Sequence, residues 1–209
     1  MIKQNGLSGL NDQARDIATI SAECGCRQTE IIDLGPRDIH LDHDIPHVQL
    51  RLVTDGEHKR QIKNSVSKRP VVLLGAALEC MRRHPNGFPR YRGKEGYSAT
   101  VNAYMRENEL FPKPEEGETR HYTIGCTRHT FENRMIHAKM SNEERAFLMG
   151  HSIGQVRNRP VYGSMPDLKM RAVFQEMVSF ATVKWAPRPI AVLRDEVDRL
   201  ASELGFRVR

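Results

Sequence analysis

The stretch from Thr127 to Tyr162 decides how this chain is read. It carries Arg128-His129-Thr130-Phe131, then Met149-Gly150-His151-Ser152, then Val161-Tyr162-Gly163. An arginine, a histidine directly after a glycine and a tyrosine follow one another in that order. A guanidinium can grip a phosphate with paired N–H donors, and a phenol oxygen can act as a nucleophile. Working outward, related groups recur upstream in Cys26-Arg27-Gln28-Thr29-Glu30, with Lys63 between the two regions.

The chain has 209 residues, enough for one domain with a sizeable core or one domain plus a short appendage. Charged residues make up 28% and hydrophobic residues 39%, an ordinary globular balance. The net charge of +6 favours a polyanionic partner without requiring one. Cys24, Cys26, Cys80 and Cys126 form no C-x-x-C pair set, and Cys24-Gly25-Cys26 is too tight for the usual zinc spacing. Reduced and partly buried thiols are expected, in a cytoplasmic protein. No apolar run reaches the length of a membrane span, and the N-terminus has no apolar signal core, so no membrane partner is expected.

Hydrophobic spacing predicts a mainly α protein with a small antiparallel three-stranded sheet. Asn11 or Asp12 caps a helix bearing Ala14, Ile17, Ala18 and Ile20, with Gly25 as its stop. A short helix covers 28–34. The period then changes: Val48, Leu50 and Leu52 alternate with polar residues as a half-buried strand, and Asp55-Gly56 signals a hairpin. Arg60 to Lys63 reads as a return strand and Val71 to Leu74 as a third. Helices follow at 75–83, from a Ser98 cap to Leu110, at 127–139, at 142–149 and at 167–180. Pro187 and Pro189 mark a joint between residues 1–186 and 187–209. After it, Ile190, Leu193, Val197, Leu200 and Leu204 form an amphipathic stripe stopped by Gly205.

Together these boxes make the chain resemble the catalytic domain of the tyrosine recombinases, the phage-integrase family, over about residues 10–180. The family's Gly-x-Arg-x-x-Glu box reads Gly25-Cys26-Arg27-Gln28-Thr29-Glu30 here. The second arginine box is Arg128-His129-Thr130-Phe131, and the Leu-Gly-His box is Met149-Gly150-His151. The resemblance implies Tyr162 as the nucleophile and Lys63 as the hairpin lysine. It implies cleavage and rejoining of double-stranded DNA through a 3′-phosphotyrosyl link, with no metal or cofactor. It also implies tetramers on DNA, in which C-terminal segments pass between subunits. The 187–209 helix is therefore expected to dock on a neighbouring subunit. An N-terminal DNA-clamp domain, usual in the family, is expected to be absent.

The chemistry accounts for these residue types. Negative charge gathers on the non-bridging oxygens in the transition state, and Arg27 and Arg128 can oppose it from two sides with fixed donors. The leaving 5′-oxygen needs a proton, which Lys63 can deliver because neighbouring cations lower a lysine pKa. His151 can hydrogen-bond the phosphate. Each residue also has a plainer reading. Arg27 and Glu30, or Arg128 and Glu132, can be structural ion pairs. His151 can be a satisfied interior histidine, and Tyr162 can pack at a loop edge. Lys59 and Lys68 flank Lys63 and can be confused with it. His129, about 100° round the helix from Arg128, is expected to pack or buttress.

One departure from the family pattern bears on catalysis. The family usually has a histidine three residues before the second arginine, and here that position is Gly125. Either His121 or Tyr122 fills the space, or the tyrosine is less well activated. A catalytically silent DNA-binding remnant is therefore the alternative function. Lys59, Arg60, Lys63, Lys68 and Arg69 on the hairpin, with Arg82, Arg83, Arg90, Arg92 and Lys94, are the expected phosphate-contacting surface.

Overall fold

A computed structural model of the chain describes residues 6–52, 68–114, 116–117, 121–151 and 167–203. The fold is built around its first helix. Asn11, in extended backbone, accepts the Ala14 N–H at 3.1 Å and starts α1, Asp12–Cys24. Gly25, at φ 64°, ends it. The later helices α3, Gly75–Arg83, and α5, Thr127–His137, both pack on α1, and α2, Gln28–Ile32, folds back from its end. Covered on several sides, α1 buries acids as well as aliphatics. Asp16 has no exposed surface and accepts from Arg83 at 2.8 and 2.9 Å and from His84 at 2.9 Å.

A turn of 3-10 helix at Pro36–Asp38 leads into the sheet. Its strands are β1, Ile39–His40, β2, His47–Leu50, and β3, Arg69–Val72, antiparallel in the order β1-β2-β3. Val48 faces Val71 and Leu50 faces Arg69 across the β2–β3 ladder. Val48, Leu50 and Val71 join the apolar cluster of α1 to α4. The three-stranded antiparallel sheet is present, with two corrections to its expected members. The first strand is Ile39–His40, too short to show a period, and Leu52 lies beyond β2 and is exposed. The expected return strand at Arg60 to Lys63 lies outside the described residues.

The expected helices are observed, those at 75–83 and 142–149 with the expected bounds and others with altered ends. α4 spans Tyr97–Glu107. Ser98 sits in its first turn and does not cap it. The residue before the helix is Gly96 at φ 110°, and buried Tyr97 pins the start by donating to the Ala14 carbonyl at 3.3 Å. α6, Asn142–Met149, opens on a reciprocal cap: Ser141 Oγ accepts the Glu144 N–H at 3.2 Å, and Glu144 returns a carboxylate to the Ser141 N–H at 2.7 Å. α7, Leu168–Glu176, stops short of the expected residue 180 because the following turn docks on α1. At the end of the helix Gln175 Nε2 meets the Glu23 carbonyl at 2.9 Å, and in the turn beyond it the Phe180 N–H meets the Glu23 carboxylate at 3.3 Å.

α8, Ile190–Glu203, lays Leu193 and Leu200 on α7 within the same chain, and Arg194 ties it to Glu144 at 2.7 Å. The described residues therefore hold two apolar clusters. One joins α1 to α4 with the sheet, and the other joins α5 to α8. No helix among the described residues is long and apolar enough to cross a membrane. Cys24, Cys26 and Cys80 are buried free thiols, and Cys126 is a partly exposed one.

Candidate active site

The two arginine boxes meet at Gly25. With φ at 64°, this residue turns the chain out of α1, and a Cβ there would lie 2.2 Å from the Phe131 ring. Only a glycine lets the first box seat on the phenylalanine of the second. Its carbonyl then accepts from Arg128 Nη1. Arg27 follows in extended backbone as the residue before α2. Glu30 accepts both the Arg27 N–H and its Nη1 at 2.9 Å, one carboxylate oxygen for each. The Arg27–Glu30 ion pair thus exists, and it also orients the guanidinium, which stays about one-third exposed at 35%.

Arg128 makes no comparable pair with Glu132, whose carboxylate stands 4.0 Å from Arg145. Its Nη2 instead reaches the Met149 carbonyl at 2.7 Å and His151 Nε2 at 2.9 Å. α6 delivers that histidine: Gly150, at φ 63°, ends the helix, and the His151 N–H returns to the Ala146 carbonyl at 3.1 Å. Arg27, Arg128 and His151 therefore converge where the two apolar clusters adjoin.

Arg69 belongs to the same cluster. Its place in Lys68-Arg69 suggests surface charge, and the structure corrects that: Arg69 is 1% exposed. Its Nε donates to the Leu148 carbonyl at 2.9 Å and its Nη2 approaches Glu30 at 3.3 Å. Nothing in the local sequence marks this role, because both partners are distant in the chain.

Among the described residues Glu30 faces the guanidiniums of Arg27, Arg69 and Arg128, and the ionisable groups respond. Burial pushes Glu30 up, but Arg69, the Arg27 N–H, Arg128 and Arg27 offset this and hold it below its usual range. Burial and the charge of Arg69, with a smaller contribution from Arg27, lower Arg128. Burial first, then Arg128, Arg27 and Arg69, lower His151, against an opposing pull from Glu132. Beneath them, burial pushes the Cys26 thiol up to about 11, so it stays protonated. The result is a neutral imidazole beside fixed cationic donors, suited to holding an oxyanion in place.

Lys63 and Tyr162 lie outside the described residues. Gly125 is exposed in a 3-10 turn at Ile124–Cys126. His121 and Tyr122, the expected substitutes for the missing histidine, line a separate cleft of about 760 Å³ with Phe111, Cys126 and Asn133. Arg27, Arg128 and His151 are not among that cleft's lining residues. His129 is exposed on the same cleft rather than buttressing Arg128. Of the expected basic surface, Lys68, Arg82, Arg83, Arg90 and Lys94 are exposed, and Lys59, Arg60 and Lys63 lie outside the described residues. Arg83 is engaged by Asp16, and Arg92 by the Leu34 and Asn86 carbonyls.

The fold these elements make is that of the phage and transposon integrases. The integrase from mycobacterium phage Brujita is similar at a TM-score of 0.56 and 16% identity, over 94% of this chain and 61% of that one. The Tn1549 transposon integrase bound to transposon right end DNA is similar at 0.52 and 18%, over 95% and 64%. The same integrase bound to circular intermediate DNA is similar at 0.51 and 19%, over 95% and 65%. The chain thus spans less than two-thirds of the length of these integrases. No family model matches the sequence, and no curated protein matches it.

Proposed function

We propose that this chain cleaves and rejoins DNA strands as a site-specific tyrosine recombinase. The observation that supports it most is the meeting of Arg27, Arg128 and His151 around one cationic site, within a fold shared with integrases that have been solved on DNA. In this reading Arg27 and Arg128 oppose the charge that develops on the non-bridging phosphate oxygens. Neutral His151 donates a further hydrogen bond to it. The Tyr162 oxygen attacks phosphorus as its phenolic proton passes to solvent, the bond to the 5′-oxygen breaks, and Lys63 supplies that oxygen with its proton. The phosphodiester energy stays in the 3′-phosphotyrosyl bond, so a 5′-hydroxyl can reverse the step without ATP. Assembly as a tetramer on DNA belongs to the same proposal, with α8 leaving its seat on α7 of its own chain for the equivalent seat on a neighbouring subunit.

Exposed Gly125 favours the second reading, a DNA-binding integrase relative without efficient chemistry. A duplex nicked just beyond the scissile phosphate separates the two. A covalent protein–DNA adduct that disappears in Tyr162→Phe supports the recombinase. DNA binding without an adduct supports the silent reading.

A further inference from the structure

The last turn of α6 is held in an unusual way. The final four carbonyls of a helix have no partner within it and are commonly met by water or a following turn. Here the Ala146 carbonyl takes the His151 N–H at 3.1 Å. The next three each take an arginine from a different element. Arg171 of α7 donates Nη1 to the Phe147 carbonyl at 2.8 Å, Arg69 of β3 donates Nε to Leu148 at 2.9 Å, and Arg128 of α5 donates Nη2 to Met149 at 2.7 Å.

Arg69 and Arg171 are 1% and 2% exposed, the only arginines so deeply buried among the described residues. Burying a guanidinium is costly, and an apolar side chain of similar volume is often at least as stabilising. Packing alone therefore does not explain them. Direction does, because each planar fork fixes a carbonyl in place. Arg69 also explains Gly150: a Cβ there would lie 2.4 Å from Arg69 Nη1. It touches the supports of both site groups at once, Glu30 behind Arg27 and Leu148 ahead of His151.

We infer that Arg69 and Arg171 are positioning residues, which hold the end of α6 so that His151 meets Arg128 and Arg27 in a fixed arrangement. Arg69 sets the distance between the Arg27 and His151 halves of the site, and Arg171 keys the same turn to α7. Only the kinetic consequence rests on the recombinase reading. Among the described residues the charged groups acting on His151 are Arg128, Arg27, Arg69 and Glu132.

The test compares the full chain with Arg69→Gln, Arg69→Lys and Arg171→Gln. Two readouts are used: ¹⁵N-histidine NMR with amide exchange at Gly150 and His151, and the rate of adduct formation on the nicked duplex. In Arg69→Gln the His151 titration moves up, exchange at Gly150 and His151 accelerates, and cleavage at saturating DNA slows about 100-fold, the effect of a small misplacement. DNA affinity changes little. Arg69→Lys returns the titration to its original position but restores only part of the rate, because an ammonium cannot span Leu148 and Glu30 as a fork does. Arg171→Gln slows cleavage and accelerates the same exchange, and it provides the measurement if Arg69→Gln does not fold. Folded variants with unchanged titration and unchanged local exchange would overturn the inference. If the unaltered chain forms no adduct, the recombinase reading fails, and the NMR readout still decides the positioning role.

Discussion

Arg128 Nη2 lies 2.9 Å from His151 Nε2. A guanidinium can only donate, so Nε2 must be the accepting nitrogen and the ring hydrogen of neutral His151 sits on Nδ1. Burial and the surrounding arginines hold the group below its ordinary value of 6.5. A ¹⁵N titration should find the Nδ1–H tautomer at pH 7 and a midpoint below 6.5. Because the unfolded chain takes up a proton here before the folded one does, this group's contribution to stability rises with pH through that window. A midpoint above 6.5 would mean that His151 is not packed against Arg128 in solution.

Gly25 tests how the two boxes interlock. Gly25→Ala forces a Cβ into the Phe131 ring at φ 64° and should cost more than about 1 kcal/mol. Gly35→Ala is the control, since its Cβ would meet only Asp38 at 3.8 Å and should change stability by less than about 0.5 kcal/mol. Urea melts of the two variants should differ accordingly, and equal midpoints would rule out the interlock.

The position three residues before Arg128 is open to repair. A Cβ on Gly125 would stand 3.3 Å from Thr123 Oγ1, a contact that a small rotation of the threonine relieves. If a missing general base limits the chemistry, Gly125→His should speed adduct formation on the nicked duplex by about 100-fold or more. No gain in a folded variant of an active chain would show that the base is not limiting.

Acid should weaken the fold through two carboxylates. Burial raises Asp16, but Arg83, His84 and Arg15 hold it below its ordinary 3.8, just as Arg69 and Arg27 hold Glu30 below 4.5. Groups with depressed folded values contribute fully above the unfolded value and lose that contribution as pH falls through the folded one. The contribution of these two carboxylates should therefore be level near pH 6 and drop below about pH 4.5. In Glu30→Gln and Asp16→Asn the profile should be flatter and lower at neutral pH. An unchanged slope in both would remove these pairs from the account.

What could be read from the chain before its structure was local chemistry. The Asn11 cap, the Gly25 stop and the 75–83 and 142–149 helices all follow from residues within one or two turns of each other. The order of Arg27, Arg128 and His151 pointed to a common site because each lies in a recognisable box. Arg69 and Arg171 were not legible, since their meaning depends on carbonyls 79 and 24 residues away in the chain. β1 has two residues and no period, and Gly96 replaces Ser98 at the start of α4 because buried Tyr97 fixes the entry.

The acids buried in α1 bear on how the site is aimed. Asp16 is gripped by Arg83 and His84, and two turns on, Glu23 meets the Phe180 N–H and lies 3.8 Å from Arg134, whose guanidinium sits over the Phe180 ring. Seven residues is about 10 Å of helix. A rod keyed at two points that far apart can neither roll about its axis nor slide along it. The bearing on which the chain leaves at Gly25, and so the direction in which Arg27 points, is set by salt links buried well behind it.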